Sequence, residues 1–124
     1  MDSVSFQQIS DRIQAHVQER DWQNSPSRSL AISIVLEATE LLEHYQWQVE
    51  PVGSKEDLAS ELADIFIYAF QLANNNQINI PEAIIKKLEK MAKKYPAKDF
   101  KGKDVKERNL VWIEKKLKHK KSGL

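Results

Sequence analysis

Apolar residues recur three or four positions apart along almost the whole chain, in runs broken by short polar or proline-containing stretches. Phe6, Ile9, Ile13 and Val17 make the first run; Leu30, Ile34, Leu41 and Leu42 the second. Leu58, Leu62, Ile65, Ala69 and Leu72 follow, then Ile84, Ile85, Leu88 and Met91, then Leu110, Ile113 and Leu117. That spacing matches the turn of an α-helix and not the alternation of a strand. Only 3 glycines occur in 124 residues, too few for a sheet-rich fold with many tight turns or for a glycine-rich phosphate loop. The expected fold class is all-α, a four-helix bundle with an extra basic C-terminal segment.

The breaks fix the expected boundaries. Helix one ends near Arg20 or Asp21. Ser25 is the expected cap of helix two, with Pro26 at its first position, and the helix runs to about Gln46. "QVEPVGS" is a loop, and Ser54 followed by Asp57 resembles a capping box for helix three. Helix three stops in "NNNQ", Pro81 opens helix four, and "YPAKDFKGK" breaks it. A fifth helix is expected from Asp104 to Lys121. Two parts are expected, a helical domain over residues 1–100 and a basic segment over 101–124.

Within this pattern, "LEATELLEHYQW" places Glu37 and Glu40 inside an apolar run, and "LASELADIFIYAF" does the same with Glu61 and Asp64. Residues three apart on a helix project together, so each pair converges. The two helices are joined by a short loop, which makes them antiparallel neighbours. With both acidic faces inward, four carboxylates meet in a small volume. Mutual repulsion and desolvation make that unfavourable without a counter-charge. A divalent cation supplies one. Carboxylate oxygens are hard ligands, suited to Mg²⁺ and also to Mn²⁺, and Mg²⁺ commonly bridges to substrate phosphates. A single Glu-x-x-Glu is ordinary on an exposed helix face; two pairs in consecutive apolar helices are not.

Other chemistries are set aside by the same residues. With 0 cysteines there is neither a disulfide framework nor a thiolate metal site. A di-iron bundle usually needs Glu-x-x-His on two helices, and that motif does not occur. No uncharged apolar run approaches the ~20 residues that span a bilayer, and the first residues do not read as a signal peptide. A cytoplasmic location is expected.

The residues now assembled resemble a known family, the MazG-like all-α nucleoside triphosphate pyrophosphohydrolases, which include the dCTP pyrophosphatases. The resemblance runs from about Phe6 to Pro96. It rests on "ERDW", "PSRSLAISIVLEATELLEHYQW", "KEDLASELADIFIYAFQLA" and "INIPEAIIKKLEKMAKKYP", in that order. The family signature, Glu-x-x-Glu, a spacer, then Glu-x-x-Asp, is matched by Glu37, Glu40, Glu61 and Asp64. The resemblance implies Mg²⁺-dependent cleavage of a nucleotide between its α- and β-phosphates, with these four acids as metal ligands and catalytic groups. The general base among them is left open.

The resemblance also implies substrate contacts. Trp22 and Trp47 match aromatic positions that stack on the base in dCTP-type members, and Tyr68 shares a face with Asp64. Lys87 and Lys94 are the implied phosphate cations, and Arg28 is a further candidate for that role. This chain departs from the pattern in having no His before its Pro-Ser-Arg step, Met91 where Asn is frequent, and Thr39 where Gly is frequent. Those departures touch base preference and one phosphate contact and leave the acidic set intact. The family commonly forms dimers or tetramers, so a homodimer or homotetramer is expected.

Charge is uneven: residues 1–100 carry a net −5 and residues 101–124 a net +6. Such a tail can attract nucleic acid, but no nucleic-acid module accompanies it. The expected role is a solvated helix packing Leu110, Ile113 and Leu117 on the body or on another subunit. The expected function is hydrolysis of a pyrimidine or modified (d)NTP to the monophosphate and pyrophosphate, a nucleotide-pool house-cleaning activity. The alternative is a non-catalytic helical module that binds nucleotide or a partner.

Overall fold

A computed structural model describes residues 3–122. Five α-helices follow one another: α1 (Phe6–Glu19), α2 (Ser27–Glu43), α3 (Lys55–Asn75), α4 (Ile80–Lys94) and α5 (Val105–Ser122). A 3₁₀ turn, Ala97–Asp99, separates the last two, and no strand occurs among the described residues. The all-α class is as expected. The 3₁₀ turn was not foreseen within "YPAKDFKGK". Contacts divide the chain into two compact units, the first ending at Ile80 and the second beginning at Pro81.

In the first unit, α3 packs against both α1 and α2. Its core is small: Val17, Leu30, Phe70 and Ala73 are the buried apolar residues, with Phe6 stacked on Phe70 at 6.2 Å between ring centres. Two capping boxes start its helices. Ser5 and Gln8 bond reciprocally at α1, and Ser54 and Asp57 at α3, the latter as the sequence indicates. At α2 the expectation shifts by one residue. Pro26 is the N-cap and Ser27 the first helical residue, while the Ser25 hydroxyl donates to the Trp22 carbonyl over 2.8 Å. Ser25 closes the preceding turn instead of capping the helix.

Two helices end in the same way without glycine. At α1 the Trp22 N–H donates to the Val17 carbonyl (3.0 Å) and Asp21 N–H to Gln18 (3.1 Å), with Asp21 left-handed at φ 54. At α3 Ile78 N–H donates to Ala73 (2.9 Å) and Gln77 N–H to Asn74 (3.3 Å), with Gln77 at φ 52. Both are Schellman ends, whose left-handed position ordinarily favours glycine.

"NNNQ" does more than stop α3. Ser10 donates to the Asn74 side chain (3.1 Å), Asn75 donates to the Ser25 carbonyl (2.9 Å), and Asn76 donates to the Ser27 hydroxyl (3.0 Å). Three consecutive amides thus tie α3 to α1, to the α1–α2 turn and to the start of α2.

In the second unit, Tyr95 stacks on Trp112 at 6.3 Å and Lys115 pairs with Asp99 at 2.7 Å. Asp104 caps α5 by accepting from Glu107 N–H (2.8 Å). Leu110, Ile113 and Leu117 are exposed, as are Ile84, Ile85, Leu88 and Met91.

Candidate active site

The two acid pairs meet. Each of Glu37, Glu40, Glu61 and Asp64 offers a carboxylate oxygen, and these oxygens all lie within 4.8 Å of one another. Glu37 and Glu40 sit in the last two turns of α2; Glu61 and Asp64 sit in the first half of α3. The α2–α3 packing faces one pair toward the other.

The cluster is electrostatically unfavourable as it stands. Burial pushes the Glu37 carboxyl up from its ordinary 4.5, and hydrogen bonding with Glu40 and the charges of Glu40, Asp64 and Glu61 push the same way. Burial also raises Glu61, with Glu40 adding to the shift and His44 opposing it. One oxygen each of Glu37 and Glu61, both Oε2, is buried without a hydrogen-bond partner. Buried acceptors left unpaired carry a desolvation cost, which a cation would offset. An all-carboxylate set with two orphaned oxygens fits a hard divalent ion.

A cavity of about 470 Å³ adjoins this cluster, with Glu37 and Asp64 on its wall. Trp22 and Tyr68 also line it. So do His16, Ser29, Ser33 and Gln71, which the sequence reading did not single out. His16 meets Trp22 edge-on at 6.0 Å, and Gln71 is the buried polar residue of α3. A signal for most of these was present. Ser29, Ser33 and Glu37 are spaced by four on α2, and Asp64, Tyr68 and Gln71 by four and three on α3. Each acid pair therefore continues into a polar stripe on one helix face.

The remaining candidates divide between the two units. Trp47 is 85% exposed in the α2–α3 loop and does not line this cavity. Arg28 is exposed in the first turn of α2. Lys87 and Lys94 belong to the second unit, where they line a smaller cavity of about 270 Å³ with Lys90, Met91, Tyr95 and Trp112.

A model of the MazG-like family matches residues 32–110, more than half of the chain and the whole of the acidic motif. The chain belongs to the MazG-like family. Among its relatives, dCTP pyrophosphatase 1 of Mus musculus is 33% identical over 87 residues, covering 63% of this chain and 51% of that protein. The Homo sapiens dCTP pyrophosphatase 1 is 33% identical over 88 residues, covering 64% and 52%. The chain thus spans about half the length of the curated relatives it matches. A solved pyrophosphatase structure from Archaeoglobus fulgidus DSM 4304 superposes with a TM-score of 0.62 at 29% identity, covering 77% of this chain and 96% of that one. The all-α MazG-like fold follows from these together. Among the described residues, no helix is long and apolar enough to cross a membrane.

Proposed function

We propose that this protein is a divalent-metal-dependent nucleoside triphosphate pyrophosphohydrolase acting on a pyrimidine or modified (d)NTP. The carrying observation is the convergence of Glu37, Glu40, Glu61 and Asp64 beside an open cavity. The names of the relatives supply the reaction class and the leaning toward a pyrimidine. Bound Mg²⁺ or Mn²⁺ would neutralise the triphosphate and lower the pKa of a water beside it.

The chain's own residues do the rest. The four acids would hold the cation beside the cavity. Trp22, half-exposed on the cavity wall, stacks on the base, and Tyr68 lies one turn beyond Asp64 to meet the sugar or base. Lys87 and Lys94 are proposed as phosphate cations on the strength of the resemblance, and Arg28 on its charge alone. In the reaction, water oxygen bonds to the α-phosphorus and the bond to the α–β bridging oxygen breaks. The products are a nucleoside monophosphate and pyrophosphate, a reaction suited to clearing unwanted nucleotides from a cytoplasmic pool.

The catalytic domain is proposed as residues 1–100, with 101–124 as a basic appendage. Ile32, Val35, Leu36 and Leu42 leave apolar surface exposed on α2, which supports burial against a second copy in a homodimer or homotetramer. Sedimentation equilibrium reads that state.

The deciding experiment is pyrophosphate release from a panel of standard and modified NTPs and dNTPs, with Mg²⁺ and with chelator, for wild type and Glu61→Gln. Metal-dependent release, abolished by the substitution, is expected. Folded protein that releases nothing from any nucleotide would sink the proposal and leave the non-catalytic module that binds nucleotide or a partner.

A further inference from the structure

His44 belongs to none of the roles assigned so far, yet it touches the acidic cluster. It is the C-cap of α2, where the helix hands over to the "QVEPVGS" loop. The loop folds back on it: Val52 N–H donates to the His44 carbonyl (2.9 Å), and Gly53 N–H donates to the ring Nδ1 (3.2 Å). A neutral imidazole has one acceptor and one donor nitrogen. With Nδ1 accepting, the proton is on Nε2.

That Nε2 lies 3.7 Å from Oε1 of Glu61, and both side chains are largely buried, at 14% and 22% exposure. The separation is somewhat longer than a hydrogen bond, so the interaction is a directed electrostatic contact. It divides the Glu61 carboxylate in two. Oε1 faces the imidazole N–H, while Oε2 is the buried oxygen that has no partner.

Gly53 makes this geometry possible. A Cβ there would lie 2.6 Å from Nδ1 and collide with Cε1 of the same ring. The glycine is required by close approach of its backbone to the imidazole and not by an unusual φ.

We infer that His44 is a positioning residue for Glu61: the Gly53 N–H fixes the ring so that Nε2–H holds Oε1 and leaves Oε2 free for a divalent cation. This rests on the proposed metal-dependent reading. Groups that orient a ligating carboxylate typically contribute ~10–100-fold in metal affinity or activity. His44 touches no substrate in this scheme and acts only through Glu61.

The test uses the full chain without nucleotide. ¹⁵N imidazole spectra, assigned by comparison with His44→Gln, read the tautomer directly. The Nε2–H form is expected; an Nδ1–H form overturns the inference. Mn²⁺ titration followed by electron paramagnetic resonance then compares variants whose fold is verified by circular dichroism. His44→Leu, which keeps bulk and loses the donor, is expected to weaken Mn²⁺ by ~10–100-fold. Gly53→Ala, which leaves the imidazole chemically intact and displaces it, is expected to do the same. His44→Gln, which places an amide N–H near the Nε2 position, restores most of the affinity. A merely structural role would not be rescued in this way. Unchanged Mn²⁺ affinity in folded His44→Leu overturns the inference and leaves the catalytic reading standing. Wild type that binds no Mn²⁺ overturns both.

Discussion

The backbone N–H of Trp22 donates to the carbonyl of Val17 over 3.0 Å, so the residue that reaches the cavity is tied to the most buried residue of α1. The Schellman end holds the Trp22 backbone, while its side chain stays 53% exposed on the cavity wall. Removal of the ring therefore costs stacking and little fold. Base–aromatic stacking contributes ~1–3 kcal/mol per base. Trp22→Ala is expected to raise KM by roughly 10- to 100-fold with kcat nearly unchanged, read by steady-state pyrophosphate release.

The second Schellman end offers a gain. Gln77 adopts φ 52, which a side chain with Cβ adopts at a cost of about 1–2 kcal/mol. Its N–H is engaged with Asn74, a bond that glycine keeps. Gln77→Gly is expected to stabilise the protein by about 1 kcal/mol and raise Tm by a few degrees in calorimetry. An unchanged or lower Tm would show that the side chain repays its strain.

The small core sets a sharp contrast between two large residues. Leu30 is among the buried few, so Leu30→Ala is expected to cost about 2–5 kcal/mol in urea unfolding. Trp47, nearly fully exposed, is expected to change stability by less than about 0.5 kcal/mol when replaced by Ala. Kinetics of the same Trp47 variant report whether it reaches the nucleotide.

Acid should stabilise the metal-free protein before it destabilises it. Glu37 and Glu61 are held above their ordinary 4.5, so the folded state retains protons that the unfolded chain has lost. Their unfavourable contribution is absent below about pH 4.5, grows as pH rises from there through the raised values, and is complete above them. Asp57 and Asp99 are held below their ordinary 3.8 and contribute with the opposite sign, but only at lower pH. In chelator, Tm is expected to rise as pH falls from neutral toward the ordinary 4.5. The double substitution Glu37→Gln and Glu61→Gln flattens that slope. Mg²⁺ reverses it, because a cation binds the deprotonated carboxylates.

The acids and helices were legible because they depend on local periodicity. Two i,i+3 pairs and five apolar runs survive folding unchanged. Trp22 was singled out through the resemblance and Tyr68 through its spacing from Asp64, and both line the cavity. His16 and His44 were not, because each acquires its meaning from a partner distant in sequence or from the path of a loop. His44 is the clearest instance: nothing in "LLEHYQW" shows that Gly53 will bring its backbone against the ring. The α2 cap was misplaced for a related reason. Ser25 has the composition of a cap, but its hydroxyl is already used on the Trp22 carbonyl. The apolar face of α4 has no buried residue, which periodicity alone does not reveal.

The asparagines at the end of α3 bear on how the first unit responds to its surroundings. Neutral amides neither titrate nor depend strongly on salt, so Asn74, Asn75 and Asn76 anchor one end of α3 under conditions that alter the other. Asp64 lies about 16 Å along the helix from Asn75. Repulsion among the carboxylates would thus act far from the clamped end, where a change of angle between α2 and α3 would relieve it. A cation drawing the four oxygens together would close the same angle, coupling occupancy of the site to the width of the cavity beside it.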